Sequence, residues 1–350
     1  MVDRGVDAVV AIDDAVAAPF TSLTDHAVMG LVARHFGVTV TGLRRFESER
    51  DDTVLVEATD ARFVLKVANP HEDPAVIDMQ TRAALHAATT DPALPLARIV
   101  PTLDGSLTAT THTDEGPRIA RLMTYLSGRG LDYPTTSPAQ RRSCGQAVAR
   151  LSLSLLDFTH PASTRRLSWD LQRLGSLRPL LAYVKDAGTR QDVLAVLDTF
   201  DSRVAPVFPG LRSQVLHNDF NPGNVLVDAV SNRYVTGILD FGEAVSTAVV
   251  TEVAVAMSYA AYDPDQPWSA PADVLAGFQS VRALTEEELA LVPDLVRCRL
   301  AQRVLLNSWM STTLPANAAR TGRSLPAMAA ALARVLRCAP PDRVRRGNPT

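Results

Sequence analysis

The sequence predicts an α+β fold with two lobes: a small antiparallel-sheet lobe, followed by a larger and mostly helical lobe. Segments with strand-like patterns dominate the chain before residue 127, and segments with helical periodicity dominate it afterwards. The change coincides with the turn-rich stretch "SGRGLDYP" at residues 127–134. With 350 residues, 46% of them hydrophobic, the chain is long enough for more than one lobe. We therefore divide it into lobes of residues 1–127 and 128–350.

The smaller lobe begins with a helix in "SLTDHAVMGLVARHFGV", where Ser22 or Thr24 can cap the first turn. Three strands follow as a meander, in "VTGLRRF", "TVLVEA" and "RFVLKVA", and the third carries Lys66. A second helix is predicted after Asp73, with Pro74 at its first position. Two more strands, "RIVPTL" and "RIARLMTYL", complete a mostly antiparallel sheet with two helices.

The larger lobe is predicted from apolar residues that recur with helical spacing. Helices are expected in residues 138–158, 169–187 and 190–200, and throughout the chain beyond Val249. Two short strands, residues 225–227 and 235–239, interrupt this helical region. The arginine-rich end, "RVLRCAPPDRVRRGNPT", is predicted to be a solvated tail.

Composition and charge exclude several classes of protein. The formal charge of −3 gives no basic surface for nucleic acid or membrane, and we expect neither as a partner. The three cysteines are odd in number and far apart, which fits a reducing compartment rather than a disulfide framework. Four aspartates among the first twenty residues argue against a secretory signal. We therefore expect a cytoplasmic protein.

One short stretch concentrates polar groups: "VLHNDFNPGNVLVD", residues 215–228, followed by "ILDFGE", residues 238–243. Asp219 and Asn224 lie five residues apart, and Asp240 follows at the end of an apolar strand. Phosphoryl transfer needs such a set: a carboxylate to receive a hydroxyl proton, oxygen ligands for Mg²⁺, and a cation for the phosphates, here Lys66. A polar turn with two strand caps is the alternative. It does not explain an aspartate at the end of a buried strand or a lysine among apolar neighbours.

The motif H-x-D-x-x-x-x-N followed by DFG resembles the aminoglycoside phosphotransferase and choline kinase-like superfamily, whose members are relatives of protein kinases. The segments "FVLKVANPHEDPAVIDMQ", "WDL", "HNDFNPGNVLVD" and "GILDFGEAVSTAVVTEVAVAMSYA" are most similar to hydroxylysine kinase and its bacterial relatives. The resemblance runs in patches from about Thr24 to about residue 330. It implies a protein-kinase-like two-lobed fold.

The resemblance also implies a role for each matching residue. Lys66 would bind the α- and β-phosphates of ATP or GTP, Asp219 would be the catalytic base, and Asn224 and Asp240 would ligate Mg²⁺. The backbone around Met123 and Tyr125 would form the hinge that meets the purine.

Three departures from the family's pattern bear on these roles. Asn218 stands where the family has glycine, and its side chain could crowd the loop or touch substrate. Kinases pair the strand lysine with a helix glutamate, whereas this helix offers Asp78 and Gln80. The first hairpin has no G-x-G-x-x-G, so "ESERDD" would cover the phosphates with its backbone N–H groups and with Ser48.

Other polar residues near these motifs have two interpretations each. His217 is predicted to be a buried histidine bonded to backbone carbonyls rather than a proton shuttle, and Glu252 to hold the catalytic loop through backbone N–H groups. Glu243 could bind a second Mg²⁺ or solvate the turn. Asn221, Trp169 and Asp170 could contact substrate or support the loop, and the last two could instead be a core anchor with a cap.

We therefore predict a kinase that transfers the γ-phosphate of ATP or GTP, with Mg²⁺, to the hydroxyl of a small amine or amino acid such as hydroxylysine. One alternative is a phosphotransferase that modifies an antibiotic or the Ser/Thr of a peptide. Another, of a different class, is a non-catalytic pseudokinase that binds nucleotide as a scaffold.

Overall fold

A mixed arrangement of sheets and helices is seen in the computed structural model, which describes residues 20–46, 48, 51–228, 230 and 234–345, except for the side chains of residues 315–321, 343 and 345. The first helix, α1 (Asp25–Phe36), is capped by Thr24, whose side chain accepts from the Ala27 N–H at 3.2 Å. Gly37 ends it with a φ of 67°, in the left-handed region where glycine costs least. Of the two predicted caps, Thr24 is therefore the one used.

The smaller lobe is built on an antiparallel sheet with the order β1-β2-β3-β6-β4, in which β5 also pairs with β6. Its strands are β1 (Gly42–Phe46), β2 (Asp52–Glu57), β3 (Arg62–Val67), β4 (Ile99–Val100), β5 (Ala109–Thr113) and β6 (Gly116–Thr124). The meander β1-β2-β3 is the one that the sequence predicts, whereas β5 is an addition. Lys66 lies opposite Thr53 on β2 and Arg121 on β6, so sheet neighbours fix it on both sides.

The second helix, α2 (Pro74–Thr90), joins the two halves of the molecule. Asp73 caps it by accepting from the Ala75 N–H at 2.8 Å, and Pro74 takes its first position, as predicted. Its buried residues Met79, Ala83 and Ala87 belong to the large apolar core that also contains the helices of the second half. This helix therefore fixes the sheet against the helical region.

The larger lobe is mostly helical, as predicted. Its helices are α3 (Pro138–Ser154), α4 (Ala187–Thr199), α5 (Val249–Ala260), α6 (Ser269–Gln279), α7 (Glu286–Thr313), α8 (Pro315–Arg337) and α9 (Asp342–Arg345). The helix predicted in residues 169–187 is wrong in type: Leu171–Tyr183 forms 3₁₀ turns. Gly175 and Pro179 lie within it, and both disfavour a continuous α-helix.

The prediction of a solvated tail is wrong for the described part of the C-terminal segment. Val335 and Val344 are fully buried, and the Trp268 Nε1–H donates to the Cys338 carbonyl at 3.0 Å. The arginine-rich composition hid these anchors, because the apolar residues of this segment are few and lie among the charges. Residues 346–350, the early aspartates and part of "ESERDD" lie outside the described residues.

Short strands position the polar motifs within the helical lobe. They are β7 (Arg129–Gly130), β8 (Ser213–Leu216), β9 (Val225–Val227), β10 (Val235–Ile238) and β11 (Val245–Ala248). β8 pairs with β11, and β9 pairs with β7 and β10, all antiparallel. The loop of residues 217–224 therefore runs between two anchored strands, and Asp240 follows a third. The Leu239 N–H donates to the Asn224 carbonyl at 2.8 Å, which ties the two motifs together.

Among the helices that the structure describes, none is long and apolar enough to cross a membrane. Cys144, Cys298 and Cys338 are all free. The boundary at residues 127 and 128 stays a prediction.

Candidate active site

A cleft of about 420 Å³ lies between the sheet of the smaller lobe and the short strands of the larger one. Apolar side chains from both sides line one part of it: Val64, Ala84, Ile99, Met123, Leu226 and Ile238. The cleft also brings together half of the predicted site residues, namely Ser48, Lys66, Gln80, Met123, Tyr125, Asn224 and Asp240. An apolar slot that opens onto charged and amide groups suits a ligand with a flat apolar end and an anionic end.

Lys66 extends from β3 into this cleft, with 13% of its side chain exposed. Its Nζ lies 3.0 Å from Asp240 Oδ2 and 3.6 Å from Asp51 Oδ2. The helix residues expected near it make other contacts: Asp78 pairs with Arg82 and His160, and Gln80 accepts from Arg121 Nη1 at 3.1 Å. The carboxylates beside Lys66 therefore come from the first hairpin and from the DFG motif.

Asp240 sits on strained backbone just after β10. Its φ is 62°, a value that few residues other than glycine adopt, and its Oδ1 accepts from the Gly242 N–H at 2.9 Å. Burial alone would raise the pKa of Asp240, but the charge and hydrogen bond of Lys66 outweigh it and lower the pKa. The lowered pKa keeps the carboxylate charged, and 43% of the side chain is exposed, so the carboxylate is accessible from the cleft.

Asp219 is held by the loop that contains it. Its Oδ2 accepts from Asn221 Nδ2 at 2.8 Å and from Asn224 Nδ2 at 2.7 Å. Its Oδ1 lies 3.5 Å from Arg299 Nη2. The side chain is 19% exposed, so one oxygen is fixed by two amides while the carboxylate remains reachable.

Asn224 and Asp240 offer oxygen atoms that fit Mg²⁺. The amide nitrogen of Asn224 is used by Asp219, and no described residue donates to its Oδ1. In the part of the chain that the structure describes, no group of three or more His, Cys, Asp or Glu side chains could hold a metal. Mg²⁺ is commonly bound by one or two carboxylates together with waters and phosphate oxygens, so a site with two protein ligands fits it.

The backbone before Asp219 is held from within the protein. His217 is fully buried, its Nε2 lies 2.9 Å from the Leu239 carbonyl, and its Nδ1 accepts from the Asp219 N–H at 3.2 Å. Glu252 accepts from the Asn218 N–H at 3.0 Å. Burial raises the pKa of Glu252. These are contacts of the kind that the sequence predicts for a supporting histidine and glutamate.

Asn218 lies in the left-handed region of backbone conformation, where glycine is the least strained residue. Its φ is 62°, and asparagine is among the few other residues that tolerate this region. The side chain is fully buried and its Nδ2 donates to the Trp169 carbonyl at 3.3 Å. It therefore points into the protein and does not crowd the loop.

The remaining candidates separate into different environments. Trp169 lies half-buried over the guanidinium of Arg299, with 4.9 Å from the ring centroid to Cζ. Asp170 is 3% exposed and caps the 3₁₀ segment by accepting from the Gln172 N–H, which is the core-anchor arrangement. Glu243 is partly buried and is not among the residues that line the cleft.

Sequence reasoning missed Arg299, Arg121 and Asp51. Arg299 lies on α7, eighty residues after Asp219, and is 1% exposed. Arg121 approaches Asp51 at 3.6 Å from the neighbouring strand. An arginine among the apolar residues of "LVRCRLAQRVLL" is a signal that could have drawn attention to Arg299, but nothing local in the sequence gives its partner.

Comparisons with known proteins agree with this geometry. The profile of the family described as "Phosphotransferase enzyme family" matches residues 42–289. Hydroxylysine kinase of Danio rerio is 30% identical over 312 residues, which cover 85% of this chain and 86% of that protein. Homoserine kinase of Azorhizobium caulinodans is 27% identical over 289 residues, which cover 79% of this chain and 81% of that protein.

A solved structure of a microcompartment-associated aminopropanol kinase has a TM-score of 0.70 and 22% identity, and the match covers 89% of this chain and 97% of that one. This likeness confirms the predicted two-lobed, protein-kinase-like α+β fold. The predicted family resemblance is confirmed as well. The chain belongs to the phosphotransferase enzyme family and is a kinase that acts on an alcohol group of a small molecule.

Proposed function

We propose that the protein transfers the γ-phosphate of ATP, with Mg²⁺, to the hydroxyl group of a small amino acid or amino alcohol such as hydroxylysine. The observation that carries the proposal is the placement of Asp219, which two loop amides fix and which stays accessible beside the cleft that contains Lys66 and Asp240. Such an array supplies positioning and charge, which are the main demands of phosphoryl transfer.

In this mechanism Asp219 accepts the proton of the acceptor hydroxyl while the hydroxyl oxygen forms a bond to the γ-phosphorus. The bond between that phosphorus and the bridging oxygen breaks, and the nucleoside diphosphate leaves with the bonding electrons. Asn221 and Asn224 hold the carboxylate in place during the proton transfer. Lys66, held within 3.0 Å of Asp240, is placed to meet the phosphate oxygens.

Mg²⁺ would be held by Asn224 and Asp240, and when bound it neutralises charge on the phosphate oxygens. The purine would occupy the apolar part of the cleft, against Val64, Met123 and Leu226. We propose ATP as the nucleotide, and GTP is the alternative. A direct comparison of turnover with ATP and with GTP would decide between them.

The acceptor is inferred from the relatives and from the charge beside Asp219. The kinases of Danio rerio and Azorhizobium caulinodans are named for hydroxylysine and homoserine, both small hydroxylated amino acids. Arg299 lies 3.5 Å from Asp219 and is almost fully buried. Because Arg299 offsets the negative charge of Asp219, this carboxylate attracts a polycationic antibiotic less than an unpaired carboxylate would.

The non-catalytic alternative requires that one of the essential groups be absent or misplaced. Lys66, Asp219, Asn224 and Asp240 are all present, and three of them line one cleft. Asn218 has a φ of 62°, which asparagine tolerates, and its side chain points into the protein, so it does not crowd the loop.

A coupled nucleotide-consumption assay tests the proposal. Purified protein is incubated with ATP or GTP, with and without Mg²⁺, and with a panel of hydroxylated amino acids, amino alcohols and aminoglycosides. We expect Mg²⁺-dependent consumption of ATP with at least one amino acid or amino alcohol, and a phosphorylated product by mass spectrometry. Binding of nucleotide without turnover across the whole panel would favour a scaffold, and turnover with aminoglycosides alone would favour an antibiotic kinase.

A further inference from the structure

A second buried arginine lies one helical turn beyond Arg299 on α7. Arg303 is 4% exposed, and its Cζ lies 3.9 Å from the centroid of the Tyr259 ring. Its Nη2 donates to the Tyr262 hydroxyl at 2.8 Å. Its Nη1 is buried and has no hydrogen-bond partner among the described residues.

The charge of Arg303 is not neutralised within the described part of the chain. No carboxylate there lies within 4.0 Å of it, whereas Arg299 has Asp219 and the neighbouring Arg297 has Asp294. An arginine is seldom fully buried without a paired anion, and a buried donor without an acceptor costs about 1–3 kcal/mol. Cation–π contact with Tyr259 offsets part of this cost, but it does not satisfy the free N–H group.

The position of Arg303 relates it to the reacting centre. Residues four apart lie on the same face of a helix and are separated by about 6 Å along its axis. Arg299 contacts Asp219 from that face, so Arg303 lies on the same side of α7 at the distance of a small aliphatic chain. Tyr259 and Tyr262, which contact the guanidinium, are only half-buried. Two half-buried side chains therefore cover the guanidinium, one helical turn along α7 from the arginine that contacts Asp219.

We propose that Arg303 binds the carboxylate of the acceptor through its unpaired Nη1, and so selects hydroxy amino acids over the corresponding amino alcohols. This inference rests on the proposed kinase function and specifies its substrate class. Guanidinium and carboxylate form short, charge-assisted hydrogen bonds that recognise a planar anion with high specificity. An acceptor bound in this way would carry its hydroxyl to Asp219 and its carboxylate to Arg303.

The test uses matched pairs of acceptors, each pair consisting of a hydroxy amino acid and the amino alcohol that remains when its carboxylate is removed. The preference is the ratio of kcat/KM values within a pair, measured for the wild type, Arg303→Met and Arg297→Met. We expect Arg303→Met to reduce the preference for the amino acid on the order of 100-fold, the loss of a charge-assisted hydrogen bond. Arg297→Met, the same change on the same helix, should leave the preference as it is.

Calorimetric binding of the hydroxy amino acid to protein with a non-hydrolysable nucleotide analogue gives a readout that does not need turnover. Weaker binding to Arg303→Met than to Arg297→Met supports the inference, even if no acceptor is phosphorylated and the proposed function fails. Equal losses for amino acid and amino alcohol, or a wild-type preference for the amino alcohol, would overturn it while leaving the kinase activity established.

If Arg303→Met is too unstable to assay, as its Tm would show, Arg303→Lys replaces it. The lysine keeps the positive charge and loses the planar guanidinium, so the preference should fall about 10-fold. A preference that does not change in Arg303→Lys would count against the assignment.

Discussion

Replacing Asp219 with asparagine separates catalysis from binding. The asparagine keeps an oxygen for the amides of Asn221 and Asn224, so the loop should keep its shape. It cannot accept a proton from the acceptor, and the loss of a general base typically costs about 10²–10⁴-fold in rate. We expect transfer to fall by that factor in Asp219→Asn. Nucleotide affinity should stay within about twofold of wild type, since Asp219 is not among the residues that line the cleft in which we propose that the nucleotide binds.

The same substitution has a stability cost that can be worked from the structure. Arg299 is 1% exposed and loses its carboxylate partner at 3.5 Å, but it keeps hydrogen bonds to the Trp169 carbonyl and to Gln302. We expect Asp219→Asn to lower the free energy of unfolding by about 1–3 kcal/mol, as for a weakened buried polar contact. Urea unfolding measures this loss, and calorimetry measures the affinity for nucleotide.

Asp157→Asn is the matched control, because Asp157 is an exposed carboxylate on the surface of the same lobe. It should change neither the transfer rate nor the stability appreciably. If Asp219→Asn transfers phosphate at the wild-type rate, the base is another residue. If it loses nucleotide binding together with transfer, Asp219 acts through the shape of the site rather than as a base.

Substitutions of Asp240, Lys66 and Asn218 test the rest of the site. Asp240→Asn should fold, yet lose metal-dependent turnover. Lys66 lowers the pKa of Asp240 in the folded protein. The carboxylate's contribution to stability should therefore persist from neutral pH down to its unfolded-state pKa of about 4 and be lost only in stronger acid. Unfolding of the wild type and of Asp240→Asn, measured across this pH range, would show this. Lys66→Ala should weaken ATP binding, measured by calorimetry, far more than Arg62→Ala does. In the wild type the guanidinium of Arg62 lies 4.3 Å from the centroid of the Tyr125 ring. Equal effects of the two substitutions would indicate a diffuse basic surface. The free energy of unfolding of Asn218→Ala should be about 1 kcal/mol lower than that of Asn218→Gly. Both variants lose the amide, but only alanine is strained at a φ of 62°. Equal free energies of unfolding would contradict this.

Local chemistry made the elements of the smaller lobe predictable. The three-stranded meander, the cap at Asp73 and the proline at the start of α2 are set by turn residues, alternation and backbone hydrogen bonding within a few positions. β5, β7, β8 and β11 were not predicted, because short strands of mixed polarity are stabilised by their partners rather than by their own patterns. β8 and β11, for example, pair across about thirty residues of chain.

The candidate site was predictable to the extent that its residues lie in short motifs. Ser48, Lys66, Gln80, Met123, Tyr125, Asn224 and Asp240 all line one cleft. The roles assigned to them stay predictions. The contacts of Lys66 with Asp51 and Asp240 could not be read from the chain, because three separate elements bring these groups together.

The sequence by itself determined the order of the lobes, the family and the loop that carries Asp219 and Asn224, because each depends on residues close together along the chain. Only the tertiary structure decided that Asn218 turns inward to Trp169 and that Arg299 meets Asp219. It also decided that Arg303, one turn further along α7, is buried with no carboxylate within reach among the described residues. Burial and charge pairing depend on which residues lie close together in the folded protein, whatever their separation along the chain. α7 delivers both arginines from about eighty residues away, and no local pattern encodes where that helix packs.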